Sequence, residues 1–331
     1  MLAQNDAPRD SSSPRVKAQY SIVIPVYGNE LSLEPLTERL AALGPKLDGQ
    51  LEVVFVVDGS PDRSGEVLAR LLPDQPFASR LIYHSRNFGS FAAIRTGLQR
   101  ASGSYLGVMA ADLQEPPELM MEFFTRLASG STDLVIGVRR SRGADPTASA
   151  LGSRLFWALY RRLVQREMPV GGVDVFACTA GFRDHLVALD EQHSSLVSLA
   201  LWLGFRRDTV AYDRQPRMHG TSGWTLRKKL KYLSDSVFSF TDLPIRLLLA
   251  AGMIGVTVSV VMAIVVLIAR LSGAIHVAGY AATTLLIAFF GALNLAGLGI
   301  IGAYVWRAFE NTKRRPGAVV MADRTFDGHE Q

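Results

Sequence analysis

The sequence is short of several things, and each shortage removes a class of function. It has one cysteine, Cys178, so a disulfide framework inside the chain and a thiolate metal cluster are both excluded. Its 6 histidines show no metal-ligand spacing, and His185 and His193 read as surface residues. The polar opening, residues 1–19, has no apolar core of the kind a signal peptide carries and is expected to be a disordered lead-in. The most informative shortage is of charge. Residues 247–269 contain no charged residue, and neither do residues 277–306.

At about 1.5 Å per residue, each stretch is long enough to cross a hydrocarbon core of about 30 Å. Soluble helices rarely run this far without a charge, so a buried helical pair is the weaker alternative. Residues 244–307 are therefore expected to hold two transmembrane helices, joined by a short connector around Ser272 and His276. Arg227, Lys228, Lys229, Lys231 and Arg246 precede the first span, and Lys313, Arg314 and Arg315 follow the second. This puts both chain ends in the cytoplasm, with a tail over residues 308–331. Small residues in the second span, among them Gly291, Gly297 and Gly302, suit close helix approach and a homo-oligomer.

What is present before residue 240 is an ordinary globular pattern in a chain of 331 residues with net charge +5. A basic balance admits anionic lipid, phosphate or nucleic acid. The basic residues cluster beside the membrane segments, so nucleic acid has no support beyond net charge. Apolar β-type runs at 20–26, 51–57, 80–84, 105–109 and 134–138 alternate with helical spacing at 31–43, 61–72, 90–101 and 116–128. Such alternation predicts an α/β domain with a mostly parallel, Rossmann-like sheet covered on both faces. Residues 221–243 follow it. There Trp224, Leu226, Leu230, Leu233, Val237 and Phe240 recur at helical spacing beside Arg227 and Lys228, as in an amphipathic helix at a membrane surface. A surface helix packed on the domain is the alternative.

Parallel sheets bind ligands beyond the carboxyl ends of their strands. The unusual polar residues of this chain gather at those ends. They are Pro25-Val26-Tyr27-Gly28-Asn29-Glu30, Asp58-Gly59-Ser60-Pro61-Asp62, Ser85-Arg86-Asn87-Phe88-Gly89, Ala111-Asp112-Leu113-Gln114-Glu115 and Gly137-Val138-Arg139-Arg140. Singly, each reads equally well as a turn or helix cap. Together they define one functional edge.

These motifs, with Arg217-Met218-His219-Gly220-Thr221-Ser222-Gly223-Trp224 further on, resemble the family 2 glycosyltransferases of GT-A fold. The match is closest to the polyprenyl-phosphate group of dolichol-phosphate mannose synthases and bactoprenol glucosyltransferases, and it covers roughly residues 20–315. The resemblance implies a GT-A domain over residues 20–220. It implies an inverting transfer of sugar from a nucleotide-sugar, preferably a UDP-sugar, to undecaprenyl phosphate at the cytosolic face of the inner membrane. By position, Pro25, Tyr27, Glu30, Asp58 and Asn87 would hold the nucleotide. Asp112 and Gln114 would hold Mn²⁺ or Mg²⁺ against the diphosphate. Arg139, Ser153 and Arg154 would meet phosphates, with Asp112, Arg139 and Arg154 as the catalytic set, and Arg227 and Lys228 would meet the acceptor lipid. A phosphate acceptor is already anionic, so no general base is needed, and hard cations and Arg suit the phosphates.

Two acidic positions of the family pattern are missing. Val57 stands before Asp58-Gly59-Ser60 where the family commonly has Asp, and Ala110 stands two residues before Asp112. The second change removes a carboxylate near the cation, with Gln114 or Glu115 to compensate. Arg183, Asp184, His185 and Asp174 are weaker candidates for sugar or acceptor contact. Two other readings stay open. One is a non-catalytic scaffold of the same fold. The other is a processive polysaccharide synthase, although that group's Gln-x-x-Arg-Trp motif is absent.

Overall fold

The computed structural model describes residues 18–140, 158, 160–162, 164–165, 167–169, 172–189, 191, 195–216, 226–272, 279–313 and 315–328, with part of the side chains in the helices beyond 226. Ser153, Arg154 and the 217–224 motif lie outside the described residues, as do the side chains of Arg227 and Lys228 and the segment 1–17.

Eight strands form one mixed sheet. They are β1 (Tyr20–Val26), β2 (Leu51–Val57), β3 (Ala78–His84), β4 (Tyr105–Val108), β5 (Leu134–Arg139), β6 (Phe176–Thr179), β7 (Arg207–Tyr212) and β8 (Val320–Phe326). Their spatial order is β7-β5-β6-β4-β1-β2-β3-β8. β1 lies parallel to β2 and β4, β2 to β3, and β5 to β7. β6 runs antiparallel to β4 and β5, and β8 antiparallel to β3.

Strand alternation sends successive residues to opposite faces. Ile22, Ile24 and Val26 join the core under α1 (Leu33–Ala41), α2 (Ser64–Leu71) and α4 (Leu119–Ala128). Val23, Val54 and Val56 join the core under α3 (Ser90–Arg100), α5 (Ala180–Ala188) and α6 (Leu196–Trp202). Both faces are thus covered, as the apolar strands require. Pro25 is tolerated in a central strand because β4 pairs with β1 only as far as Val23.

After the sheet come α7 (Leu226–Phe240), α8 (Leu243–Leu271) and α9 (Tyr280–Thr312). α7 does pack on the domain. Tyr232, Leu233 and Phe240 rest on the α3–α5–α6 face. The Tyr160 hydroxyl reaches Ser198 Oγ at 2.6 Å, Ser236 Oγ at 3.1 Å and the Tyr232 hydroxyl at 3.3 Å.

α8 and α9 run antiparallel and touch. A Cβ at Gly255 would meet the Phe290 ring, and one at Gly297 would meet Leu248. Leu247, Leu249 and Met253 of α8 and Ile287, Phe289 and Leu295 of α9 are all exposed. Phe289–Thr312, 24 residues, is long and apolar enough to cross a membrane.

The segment expected to be a tail from 308 onward is structured. α9 runs to Thr312, and residues 320–326 return as β8. Arg80 of β3 pairs with Asp323 of β8 at 2.6 and 2.8 Å, so the sheet is not confined to residues 20–220.

Candidate active site

The strand order reverses at β1, with β2 and β3 on one side and β4 on the other. That switch point opens the crevice in which α/β sheets bind ligands. The β1 exit, residues 27–30, and the β4 exit, residues 109–115, flank it. Ser32 Oγ donates to the Ala111 carbonyl at 2.8 Å and ties the two exits together.

The β1 exit is laced to the β2 exit. The Gly28 N–H donates to Ser60 Oγ at 2.8 Å, and the Glu30 N–H donates to Asp62 Oδ2 at 3.0 Å. Burial pushes the Asp62 carboxyl up, but hydrogen bonds from Ser60, Ser64 and backbone amides outweigh it and hold the group below the usual range. Glu30 accepts from Arg63 at 2.8 and 3.0 Å. Tyr27 is held open, 52% exposed, beside this lattice. An exposed ring next to ordered amides offers a stacking face for a base.

Asp58 is 2% exposed. Its carboxylate accepts from the Phe88 N–H at 2.9 Å and the Gly89 N–H at 2.7 Å, and lies 2.8 Å from His84 Nδ1. His84 Nε2 lies 3.0 Å from Thr96 Oγ1. Asp58 thus fastens the β3 exit loop, which carries the exposed Asn87, to the end of β2. Gly59 makes that closeness feasible. Its φ is +59°, and a Cβ there would strike the backbone of Arg86 and Asn87.

The β4 exit carries Asp112, half-buried, with the Gln114 N–H 3.3 Å from its Oδ1. Leu113, between them, has φ +58°, a region that side chains rarely adopt. The twist carries Gln114 and Glu115 inward while Asp112 keeps its place at the rim. Gln114 Oε1 accepts from Arg214 Nη2 at 2.6 Å, and the Gln114 carbonyl accepts from the Gln215 N–H at 2.9 Å.

Behind the rim is a cluster of charges in which the sequence names Arg139, Asp174 and Glu115 but not Arg214 or the way they meet. Arg139, at the end of β5, donates through Nε to Asp174 Oδ2 at 2.7 Å. The Tyr212 hydroxyl reaches the same oxygen at 3.4 Å. Arg214 Nε stands 3.5 Å from Glu115 Oε1, and neither atom has a hydrogen-bond partner. Because β6 is antiparallel, Asp174 precedes it and falls on the same sheet edge as the exits of β4, β5 and β7. No local pattern around Asp174 or Arg214 reveals that meeting. Arg183 behaves differently. It donates to the Leu98 and Ala101 carbonyls at 2.9 Å each and caps α3, so it is committed away from a sugar site.

Sequence comparison decides the family. The description "Glycosyl transferase family 2" matches residues 21–188. An uncharacterized glycosyltransferase of Synechocystis is 30% identical over 298 residues, covering 90% of this chain and 93% of its own. The chain belongs to glycosyl transferase family 2. YkcC of Bacillus subtilis, also an uncharacterized glycosyltransferase, is 30% identical over 92% of this chain and 93% of its own. The bactoprenol glucosyl transferase of Shigella phage SfV is 24% identical over 92% of this chain and 98% of its own. This family 2 member is a glycosyltransferase with a mixed α/β sheet.

The resemblance implies a divalent cation at Asp112 and Gln114. Among the described residues, no three His, Cys, Asp or Glu side chains come together as a metal cage. The donor chemistry still fits a hard cation in part. Asp112 is a carboxylate at the rim, and Glu115 behind it has an oxygen without a hydrogen-bond partner. Gln114 fits less well, because its side-chain oxygen is engaged by the Arg214 guanidinium.

Glu115 also sets a pH dependence. It is 1% exposed. Burial raises its pKa first, Asp174 and Asp112 add to that, Arg214 and Arg139 oppose it, and the outcome is about 7. A carboxyl raised in the folded state favours folding below its unfolded value of 4.5, and that contribution is lost as pH climbs to about 7. The displacement from 4.5 to about 7 corresponds to about 3 kcal/mol. Thermal unfolding is therefore expected to show parent stability falling across this window relative to Glu115→Gln. Parallel pH profiles for the two proteins would remove the assignment.

Proposed function

We propose that this glycosyltransferase moves a sugar, with inversion, from a UDP-sugar to undecaprenyl phosphate at the cytosolic face of the inner membrane. The observation that carries the reading is the return of the chain through β8. The helix pair leaves the sheet after α7 and comes back to pair with β3. An odd number of crossings would strand β8 on the wrong side, so α8 and α9 cross together or not at all. Phe289–Thr312 has the length and apolarity to cross, and α8 has exposed apolar side chains along it. The reaction edge is then tethered at a bilayer, where a lipid acceptor resides. The Shigella phage relative, a bactoprenol glucosyl transferase, supports the same acceptor class.

In this reading Tyr27 stacks on the base, and the β1 and β2 exits give it a fixed frame. Asp58 and Asn87 shape the adjoining wall. Asp112 would hold Mn²⁺ or Mg²⁺, which when bound neutralises charge on the departing diphosphate. Diphosphate oxygens would complete that cation's shell, since Ala110 offers none. Arg139 stands ready for a phosphate, released from Asp174 or sharing with it. Ser153, Arg154, Arg227 and Lys228 remain proposed phosphate or lipid contacts. An acceptor phosphate attacks without a general base, and attack opposite the leaving group inverts the anomeric centre.

The test is transfer of label from radiolabelled nucleotide-sugars to undecaprenyl phosphate in detergent, with and without EDTA. Label in the organic phase from one donor, lost on chelation, supports the proposal. Donor binding with no labelled lipid from any donor overturns it in favour of a scaffold.

Topology gives a second expected result. Ser272→Cys should react with a membrane-impermeant maleimide added outside intact cells, and Gly317→Cys only after permeabilisation. Cys178 should stay silent, because it is buried and its thiol is pushed up to about 12. Equal labelling of both positions from outside would sink the two-span arrangement.

A further inference from the structure

α7 and α8 meet at a sharp corner, the flanking segments Tyr232–Phe240 and Leu243–Gly255 being bent by 75°. A cavity of about 650 Å³ lies in that corner. One side is cationic, formed by Arg161 and Arg162. The other is apolar and aromatic, formed by Phe238, Phe240, Ile245 and Tyr304. The acid on its wall, Asp242, already pairs with Arg246 at 2.8 Å.

Two guanidinium groups at this corner carry buried nitrogens without an acceptor. One is Arg161 Nε. The other is Nη1 of Arg307, whose guanidinium lies 5.0 Å from the Phe238 ring centre and whose Nη2 binds Asp235 at 2.8 Å. A buried donor without an acceptor is unfavourable, and an anion that accepts from it recovers that loss. Phosphate suits the task because guanidinium binds it through two parallel N–H bonds.

A polyprenyl phosphate has the same two-part character as the cavity, with a dianionic head on a purely apolar chain. The corner also joins the helix packed on the catalytic domain to the helix pair. A lipid lying along that pair therefore presents its head here.

We infer that this corner is an entry subsite for the acceptor lipid, where Arg161 and Arg162 take the phosphate and the aromatic wall takes the first isoprene units. The inference rests on the acceptor class proposed above. Arg161 and Arg162 act on capture and not at the reacting atoms, so their loss should raise acceptor KM and spare kcat.

The test compares the full-length parent with Arg161→Gln/Arg162→Gln in neutral detergent free of phospholipid. Retention of radiolabelled undecaprenyl phosphate without donor is measured first, and transfer kinetics second. The expected result is binding weaker by about tenfold, the scale of one charge-assisted contact. Acceptor KM should rise in step, with donor KM and kcat unchanged. The single variant Arg162→Gln, at an exposed side chain, guards against misfolding and should show a smaller loss in the same direction. Equal lipid retention by parent and double variant overturns the subsite. Displacement of the labelled lipid by phosphatidylglycerol at equal concentration also overturns it, because the corner would then hold any anionic lipid. A parent that retains the lipid through these arginines yet transfers no sugar would leave the subsite standing and defeat the catalytic reading alone.

Discussion

Asp112→Asn is expected to lower kcat for sugar transfer by about 10³-fold, the scale of losing a principal electrostatic stabiliser of a leaving group. Asparagine keeps the shape and can still accept from the Gln114 amide, so the fold of the loop is preserved. What it removes is the negative charge that would hold a cation at the rim. The absence of a carboxylate at position 110 makes the loss larger, because no neighbouring acid two residues upstream can take over. Gln114→Ala should cost only about tenfold, through loosening of the loop, since its side-chain oxygen is bound to Arg214. Steady-state kinetics with Mn²⁺ titration checks both. An Asp112→Asn enzyme with parental kcat and parental Mn²⁺ dependence would remove Asp112 from the cation site. A Gln114→Ala enzyme as impaired as Asp112→Asn would restore Gln114 as a ligand.

Asp58→Ala is expected to be the most destabilising single change in the domain. The carboxylate is buried and receives two backbone N–H groups, with His84 against it. Removing it leaves those part-buried donors and the buried His84 ring without their acceptor. Breaking such a buried charged network costs about 3–5 kcal/mol. For a domain of this size that corresponds to a Tm lower by about 10 °C. Donor affinity should fall with it, because the loop bearing Asn87 loses its anchor. Thermal unfolding with and without UDP measures both effects. A Tm within 2 °C of the parent, about the shift expected for 1 kcal/mol or less, would mean that Asp58 serves the ligand and not the loop.

The first five strands are legible in the sequence because each is an apolar run buried on both sides, bounded by turn residues. β6 runs straight into the helix that begins at Ala180, with no Gly, Pro, Asn or Asp between them to mark its end. β8 is an edge strand whose residues are mostly exposed, so it has no apolar face to betray it. Missing β6 also hid the pairing of Asp174 with Arg139, which depends on that strand running backward. The exits of β1, β2, β3 and β4 are legible as strand ends on one edge of the sheet because Gly, Pro, Asn and Asp mark them in the sequence itself. The task performed by each residue there was less legible. Alongside the nucleotide and metal roles expected of them, Asp58 fastens a loop and Gln114 accepts from Arg214. Both facts depend on partners 26 to 100 residues away, and no local pattern encodes them.

The return of β8 bears on how the protein is made. Arg80 and Asp323 are separated by 243 positions, and both long apolar helices are synthesised between them. The outer edge of β3 therefore stands bare from the time the domain first collapses until the ribosome has passed residue 326. A bare strand edge invites pairing with other chains. Under the proposed two-span arrangement, delay in inserting the helices would lengthen that exposure, so a slow translocon should show itself first as aggregation of an otherwise finished sheet domain.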